Sequence, residues 1–230
     1  MNSNNSNSND CTLSIFVKCP LPIEIFVYIQ EYGNINQLLQ TCKHTDTFKT
    51  ELFQWKLTVK NSKEYYRDVN FRNSILNRMM YPNKQLSLNL SWCEGITDVS
   101  SLGNVHTLDL SYCTGITDVS GLGNVHTLNL SYCDGITDVS SLGNVHTLNL
   151  YYCDGITDVS SLGNVHTLNL SWCRGITDVS SLGNVHTLNL SYCKRITDVS
   201  SLGNVHTLDL SECDNITDVN SLGNVHRLKK

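Results

Sequence analysis

Three residue types able to do chemistry recur along this chain at a fixed interval of twenty. Histidines stand at His106, His126, His146, His166, His186, His206 and His226, and cysteines at Cys93, Cys113, Cys133, Cys153, Cys173, Cys193 and Cys213. Aspartates follow the same beat at Asp98, Asp118, Asp138, Asp158, Asp178, Asp198 and Asp218. A row of imidazoles could bind metal or sense pH, because stacked rings resist being protonated together. The blander reading is preferred: surface or hydrogen-bonding histidines copied with each unit. The cysteines lack the CxxC and HxxxH pairs that zinc sites bring together, so they are expected to form a row of small buried thiols. Stacked carboxylates invite calcium, but the glycine-rich nonapeptide of calcium-binding rolls is missing. Each Asp is instead expected to accept backbone amides at a turn. No metal and no other cofactor is therefore expected. Nor is an enzyme: there is no nucleophile elbow or phosphate loop, and Ser, His and Asp recur in every unit alike, whereas an active site needs one distinctive constellation.

The elements that carry these columns follow from the period. Seven 20-residue units begin at Gln85, Val105, Val125, Val145, Val165, Val185 and Val205, with a truncated strand from Val225 to the last residue. Within one unit the apolar residues are Val105, Leu108, Leu110, Cys113, Ile116, Val119 and Leu122. Leu108 and Leu110 lie two apart, the spacing of a strand with one buried face. The later spacings of three fit a coil that bends back along the other side. Nine residues from Ile116 to Asn124 are too few for a full helix, which predicts tight or 3₁₀ turns. Gly123 is expected at positive φ, with Asn124 hydrogen bonding to backbone. A single unit cannot bury its apolar face alone, so units must stack, each completing its neighbour's strand hydrogen bonds, at a spacing of about 4.8 Å.

Positions where the repeats differ are the informative ones for function. Alternation puts Thr107, Asp109 and Ser111 on the face opposite Leu108 and Leu110, expected to be the concave side. Beside them runs an aromatic stripe, Trp92, Tyr112, Tyr132, Tyr152, Trp172 and Tyr192, interrupted at Glu212. The adjoining column, Glu94, Thr114, Asp134, Asp154, Arg174, Lys194 and Asp214, changes from acidic to basic at Arg174, Lys194 and Arg195. Exposed rings beside varied charges are typical of protein-binding surfaces, so the stripe together with Arg174 and Lys194 is the expected contact with a partner protein. The alternative is that the rings merely pack on one another along the array.

The first 84 residues follow other rules. Residues 1–19 are an Asn/Ser-rich tail expected to be disordered. Pro22 suits the first position of a helix and Gly33 its carboxyl-terminal cap. That helix is apolar on two sides, Ile25, Phe26 and Ile29 against Ile23 and Val27, which implies that one side awaits a partner. A second helix is expected at Leu38, Leu39 and Cys42, and a third at Phe48, Leu52, Trp55 and Val59. Asn61 and Glu64 start a further helical stretch through Tyr65, Ile75, Leu76 and Met79, expected to cover the open end of the first repeat. The partition read from sequence is thus 1–19 tail, 20–60 helical head, 61–84 helical linker and cap, and 85–230 repeats.

Several of these residues carry family resemblances. The pattern L-x-L-x-x-C-x-x-I at Leu108, Leu110, Cys113 and Ile116 resembles leucine-rich repeats of the cysteine-containing type, and Thr117-Asp118-Val119 is similar to the short repeats of bacterial internalins. The segment 21–59 resembles an F-box: Leu21, Pro22 and Glu24 match its L-P-x-E opening, followed by Ile25, Ile29, Leu38, Leu39 and Cys42, with Leu52 and Trp55 at the close. The whole chain resembles F-box and leucine-rich-repeat proteins of giant amoeba-infecting viruses. The resemblance implies an α+β chain, a small helical F-box-like head followed by a short leucine-rich-repeat solenoid with a parallel β-sheet on the concave face. It also implies a function, that of a substrate-recognition adaptor of an SCF-type cullin–RING ubiquitin ligase. Leu21, Pro22, Ile25 and Ile29 would then bind the Skp-type adaptor, while the repeats bind a target protein. The alternative is a repeat scaffold without a ligase role.

Charge and hydropathy bound the remaining classes. Residues 1–84 carry ten Lys/Arg against seven Asp/Glu, and residues 85–230 six against fourteen. An acidic array lacks the basic face that binding to nucleic acid requires. The apolar stretch around Ile23–Ile29 is too short to span a bilayer, and the Met1-Asn2-Ser3-Asn4-Asn5-Ser6 start does not resemble a secretory signal. A cytoplasmic protein with reduced thiols and no membrane contact is expected.

Overall fold

A computed structural model describes residues 53–56, 59–70, 72–73 and 84–230, and the chain divides into two compact units, Met1–Asn89 and Leu90–Lys230. The expected tail, the first two helices and the adaptor contacts Leu21, Pro22, Ile25 and Ile29 lie outside the described residues, as do Ile75, Leu76 and Met79.

In the first unit, strand β1 (Phe53–Lys56) pairs in parallel with strand β2 (Lys84–Asn89), Trp55 opposite Leu86, and helix α1 (Val59–Arg67) lies between them in sequence. This corrects the third helix expected through Trp55 and Val59. The tetrapeptide Phe53-Gln54-Trp55-Lys56 alternates apolar with polar, and pairing with β2 decides what the i, i+4 spacing left ambiguous. Helix α1 begins at Val59, close to the start expected at Asn61. Its buried side is Ser62 and Tyr65. The Ser62 hydroxyl accepts a hydrogen bond from the Asn89 backbone N–H at 3.1 Å, and Arg72 donates to the Tyr65 and Tyr66 carbonyls. Packing beside β2 thus comes from α1 itself.

The second unit is a regular coil. Its strands β3 (Thr107–Asp109), β4 (Thr127–Asn129), β5 (Thr147–Asn149), β6 (Thr167–Asn169), β7 (Thr187–Asn189), β8 (Thr207–Asp209) and β9 (Arg227–Lys229) form a parallel sheet in which each residue pairs with its counterpart twenty positions on. The central leucines Leu108 to Leu208 are buried and the flanking Thr, Asn and Asp half-exposed, as alternation requires. Hydrogen bonding between coils continues past the strands, where Leu110 and Tyr112 N–H donate to the Asn129 and Ser131 carbonyls.

The spacing of three has a direct cause. Cys113 N–H donates to the Leu110 carbonyl, Ile116 to Cys113, Leu122 to Val119 and Val125 to Leu122, at 2.9–3.1 Å. Cys113, Ile116, Leu122 and Val125 thus each end a three-residue turn begun by the buried side chain before it. The chain rounds the core as a polygon with an apolar residue at each corner. On the return side these turns form short 3₁₀ segments, Ser100–Leu102 through Asn220–Asn224, as expected.

Two turn expectations need correction. Gly123 has φ −61°, an ordinary right-handed value. Glycine is required there by proximity instead: a Cβ would run into the Ser141 carbonyl oxygen of the next coil, and Gly143 and Gly163 meet Ser161 and Ser181 alike. Asn124 is exposed, and its side chain makes no hydrogen bond among the described residues.

Candidate protein-binding surface

Among the described residues, the non-glycine residues in the left-handed region are those of the aromatic column and Glu212, which continues it. Trp92, Tyr112, Tyr132, Tyr152, Trp172, Tyr192 and Glu212 have φ between 58° and 64°, a conformation costly for any residue with a Cβ. It arises at the corner where the chain leaves the strand. Tyr112 N–H is still bound to the next coil, while Cys113 must already turn inward to donate back to Leu110. The reversal throws the intervening side chain outward, and stacked copies then meet face to face. Ring centroids are 3.8 Å apart for Trp92 and Tyr112, 4.3 Å for Tyr112 and Tyr132, and 4.3 Å for Trp172 and Tyr192, at interplanar angles of 7–16°. The stripe expected from sequence is therefore one continuous row that both packs on itself and meets solvent; Trp92 is 64% exposed.

The row is irregular in one place. Tyr151 replaces the serine found at this position in six of the seven units. Its ring meets Tyr132 edge-on at 5.1 Å, and the stack opens to 5.1 Å between Tyr132 and Tyr152 and 6.0 Å between Tyr152 and Trp172. The Arg174 guanidinium lies over Trp172 at 4.9 Å and Tyr152 at 5.6 Å, a cation–π arrangement, and sits 3.8 Å from the Asp154 carboxylate. Lys194 pairs with Asp214 at 3.2 Å. Both pairs are exposed and contribute little stability, which leaves the cations able to exchange partners. Of the eight residues that sequence reasoning assigned to this surface, the six rings form the row and Arg174 lies against it, with Lys194 two residues beyond Tyr192. That reasoning missed Tyr151, whose signal was a lone aromatic in a serine column.

The other columns have their own hydrogen-bond partners. Cys113 to Cys213 are buried, each Sγ–H donating to the leucine carbonyl one coil back, as from Cys153 to Leu130 at 3.2 Å. Burial pushes the thiols of Cys133, Cys153, Cys173 and Cys193 up to about 12. Asp98, Asp118, Asp138, Asp158, Asp178 and Asp198 accept the N–H of the serine two residues on at 2.8–2.9 Å, and those bonds hold their carboxyls below the usual range. The histidines stack at 4.6 Å from His106 to His206, each Nδ1 within 3.2–3.3 Å of the following threonine hydroxyl. Desolvation and neighbouring imidazoles lower His106, His166 and His206. Among the described residues no three His, Cys, Asp or Glu converge on a common point, and no helix is long and apolar enough to cross a membrane.

Identical coils joined by an in-register parallel sheet, each closed by three-residue turns, define a solenoid of the repeat-protein class. The model of the Leucine Rich repeat family matches residues 124–140 and 164–180, two stretches of the same twenty-residue pattern. Among solved structures, the chain is similar to an internalin (inlF) from Listeria monocytogenes at 27% identity and a TM-score of 0.49, covering 64% of this chain and 47% of that one. The functional domain of InlJ from Listeria monocytogenes, which includes a cysteine ladder, matches at 23% identity and a TM-score of 0.42, covering 63% and 41%. The chain thus spans less than half the length of either. No curated protein matches it.

Proposed function

We propose that this chain is the substrate-recognition adaptor of an SCF-type cullin–RING ubiquitin ligase, with no chemistry of its own, acting in the cytoplasm. The head would hold a Skp-type adaptor through Leu21, Pro22, Ile25 and Ile29. The repeats would hold a target protein, raising its effective concentration at the ligase. The head's role is supported by the L-P-x-E opening at Leu21, Pro22 and Glu24 in a chain that also carries leucine-rich repeats.

The target-binding role rests on one observation, the cluster of Tyr151, Tyr152, Trp172 and Arg174 where the ring row opens. A surface of identical coils offers a partner equal energies at every shift of about 4.8 Å, so it cannot define where the partner sits. Specificity is a difference of affinities, and this cluster supplies the difference. A target presenting a carboxylate beside an apolar side chain fits it, because the guanidinium over Trp172 retains donors for an anion.

Two pull-downs test the proposal. Purified Skp-type adaptor should be retained by the full chain and released by Leu21→Ala with Pro22→Ala. No retention by the wild type would leave the alternative, a repeat scaffold without a ligase role. Affinity purification followed by mass spectrometry should give a protein retained by the wild type and lost with Tyr151→Ser plus Arg174→Asp. Identical retention by both would remove the cluster from the binding site.

A further inference from the structure

We infer that the histidine column is a binding site for divalent transition-metal ions, each held between the imidazoles of two adjacent coils. The inference is independent of the ligase reading and concerns a different column of the array.

The geometry has three parts. The rings repeat at 4.6 Å and lie within 9–12° of parallel from His106 to His206, so neighbouring ring nitrogens face the same way at one strand spacing. Each Nδ1 is engaged by a threonine hydroxyl, from Thr107 to Thr207, at 3.2–3.3 Å. With the proton on Nδ1 donated to that oxygen, Nε2 keeps its lone pair at the opposite edge of the ring. This is the outer-shell contact that fixes ring orientation in metal-bound histidines. Finally, the rings of His126, His146, His166, His186 and His206 are exposed, so an ion has access.

Distance decides which histidines can cooperate. Zinc–nitrogen bonds of about 2.0–2.1 Å span at most roughly 4.2 Å between two nitrogens. At the tetrahedral angle two such bonds set the nitrogens roughly 3.4 Å apart, so the Nε2 edges of adjacent rings must tilt toward each other by about 1.2 Å to share an ion. Rings two coils apart stand about 9 Å away and cannot share one. Since no third His, Cys, Asp or Glu converges among the described residues, water completes each shell, and imidazole donors favour zinc, copper and nickel over magnesium or calcium. Seven histidines allow three such pairs. The last, with His226 tilted 31° from His206 and the Arg227 cation beside His206, should be the weakest.

The test holds the number of histidines fixed and changes their adjacency. Zinc chloride is titrated calorimetrically into the full-length chain and into two triple variants. In the alternating variant, His126→Asn, His166→Asn and His206→Asn, four column histidines remain with no adjacent pair. In the block variant, His106→Asn, His126→Asn and His146→Asn, four remain in sequence, from His166 to His226. His44 is present in all three. The expected result is binding of two to three ions by the parent, retention of one or two by the block variant, and at least tenfold weaker binding by the alternating variant. Circular dichroism checks the fold of each, and a second alternating set with Gln at the same positions replaces one that fails to fold. Equal zinc binding by the alternating and block variants, or no binding by the parent below millimolar zinc, overturns the inference.

Discussion

Replacing Glu212 by glycine should stabilise this protein, and replacing Tyr132 by glycine should do the opposite, although both residues hold the same backbone conformation. Glu212 has φ 61° and Tyr132 φ 60°. A left-handed residue bearing a Cβ costs roughly 1–2 kcal/mol, a cost that glycine does not bear. Glycine's greater freedom in the unfolded chain takes back about 0.5–1 kcal/mol. Glu212 ends the aromatic row and stacks on nothing, so Glu212→Gly should gain about 0.5–1 kcal/mol. Tyr132 starts from the same relief but loses its stack on Tyr112 at 4.3 Å, its stack on Tyr152 at 5.1 Å and its edge contact with Tyr151 at 5.1 Å. Each ring pair contributes about 0.5–1.5 kcal/mol beyond simple burial, so Tyr132→Gly should come out destabilised by about 1–3 kcal/mol. Urea unfolding of the full chain, followed by circular dichroism, reads both midpoints. A shift of the two variants in the same direction would refute the reasoning that ring stacking offsets the cost of the left-handed conformation that the turn imposes.

Gly163→Ala should destabilise the chain by about 1–3 kcal/mol, because its Cβ would overlap the Ser181 carbonyl oxygen, whereas Gly223→Ala, with nothing within 4 Å, should stay within about 0.5 kcal/mol of wild type; the same urea titration checks both. In peptide mapping after iodoacetamide treatment at pH 8 without denaturant, Cys133, Cys153, Cys173 and Cys193 should remain unmodified, since thiols held near about 12 form almost no thiolate, while part-exposed Cys93 reacts. Lowering pH should destabilise the fold in two windows. His106, His166 and His206 are lowered, so their contribution is complete above the unfolded value of about 6.5 and is lost as pH falls through their folded values. The lowered aspartates of the turns contribute above about 3.9 and fail only at more acid pH. A urea midpoint unchanged from pH 7.5 to pH 5 would remove the histidine part.

The sheet, its register and its buried face were legible from Leu108, Leu110 and the interval of twenty, because repetition turns a weak two-residue alternation into a sevenfold one. The turns were legible in outline from spacings of three. Their detail was not: the usual association of glycine with positive φ pointed to Gly123, whereas long-range contact decides that position and the aromatic corner takes the strain. A tyrosine in the left-handed region has no sequence signature, since the hydrogen bond that holds its N–H at this corner runs to a carbonyl of the next coil. Trp55 failed for a related reason, as four residues carry too little period to tell a strand from a helix until β2 is beside them. Tyr151 was visible as a departure from serine, but its effect on the ring row needed coordinates.

The collision that bars a methyl group at Gly163 also describes how the array tolerates change in length. Because each coil presents its successor with the same carbonyl, the same thiol acceptor and the same ring, a twenty-residue duplication or deletion in the gene joins two surfaces that already match. The coil number can then drift without refolding what remains, while the distance from the array's start to Tyr151 and Arg174 moves in steps of one coil. Length is therefore a cheap variable in this architecture.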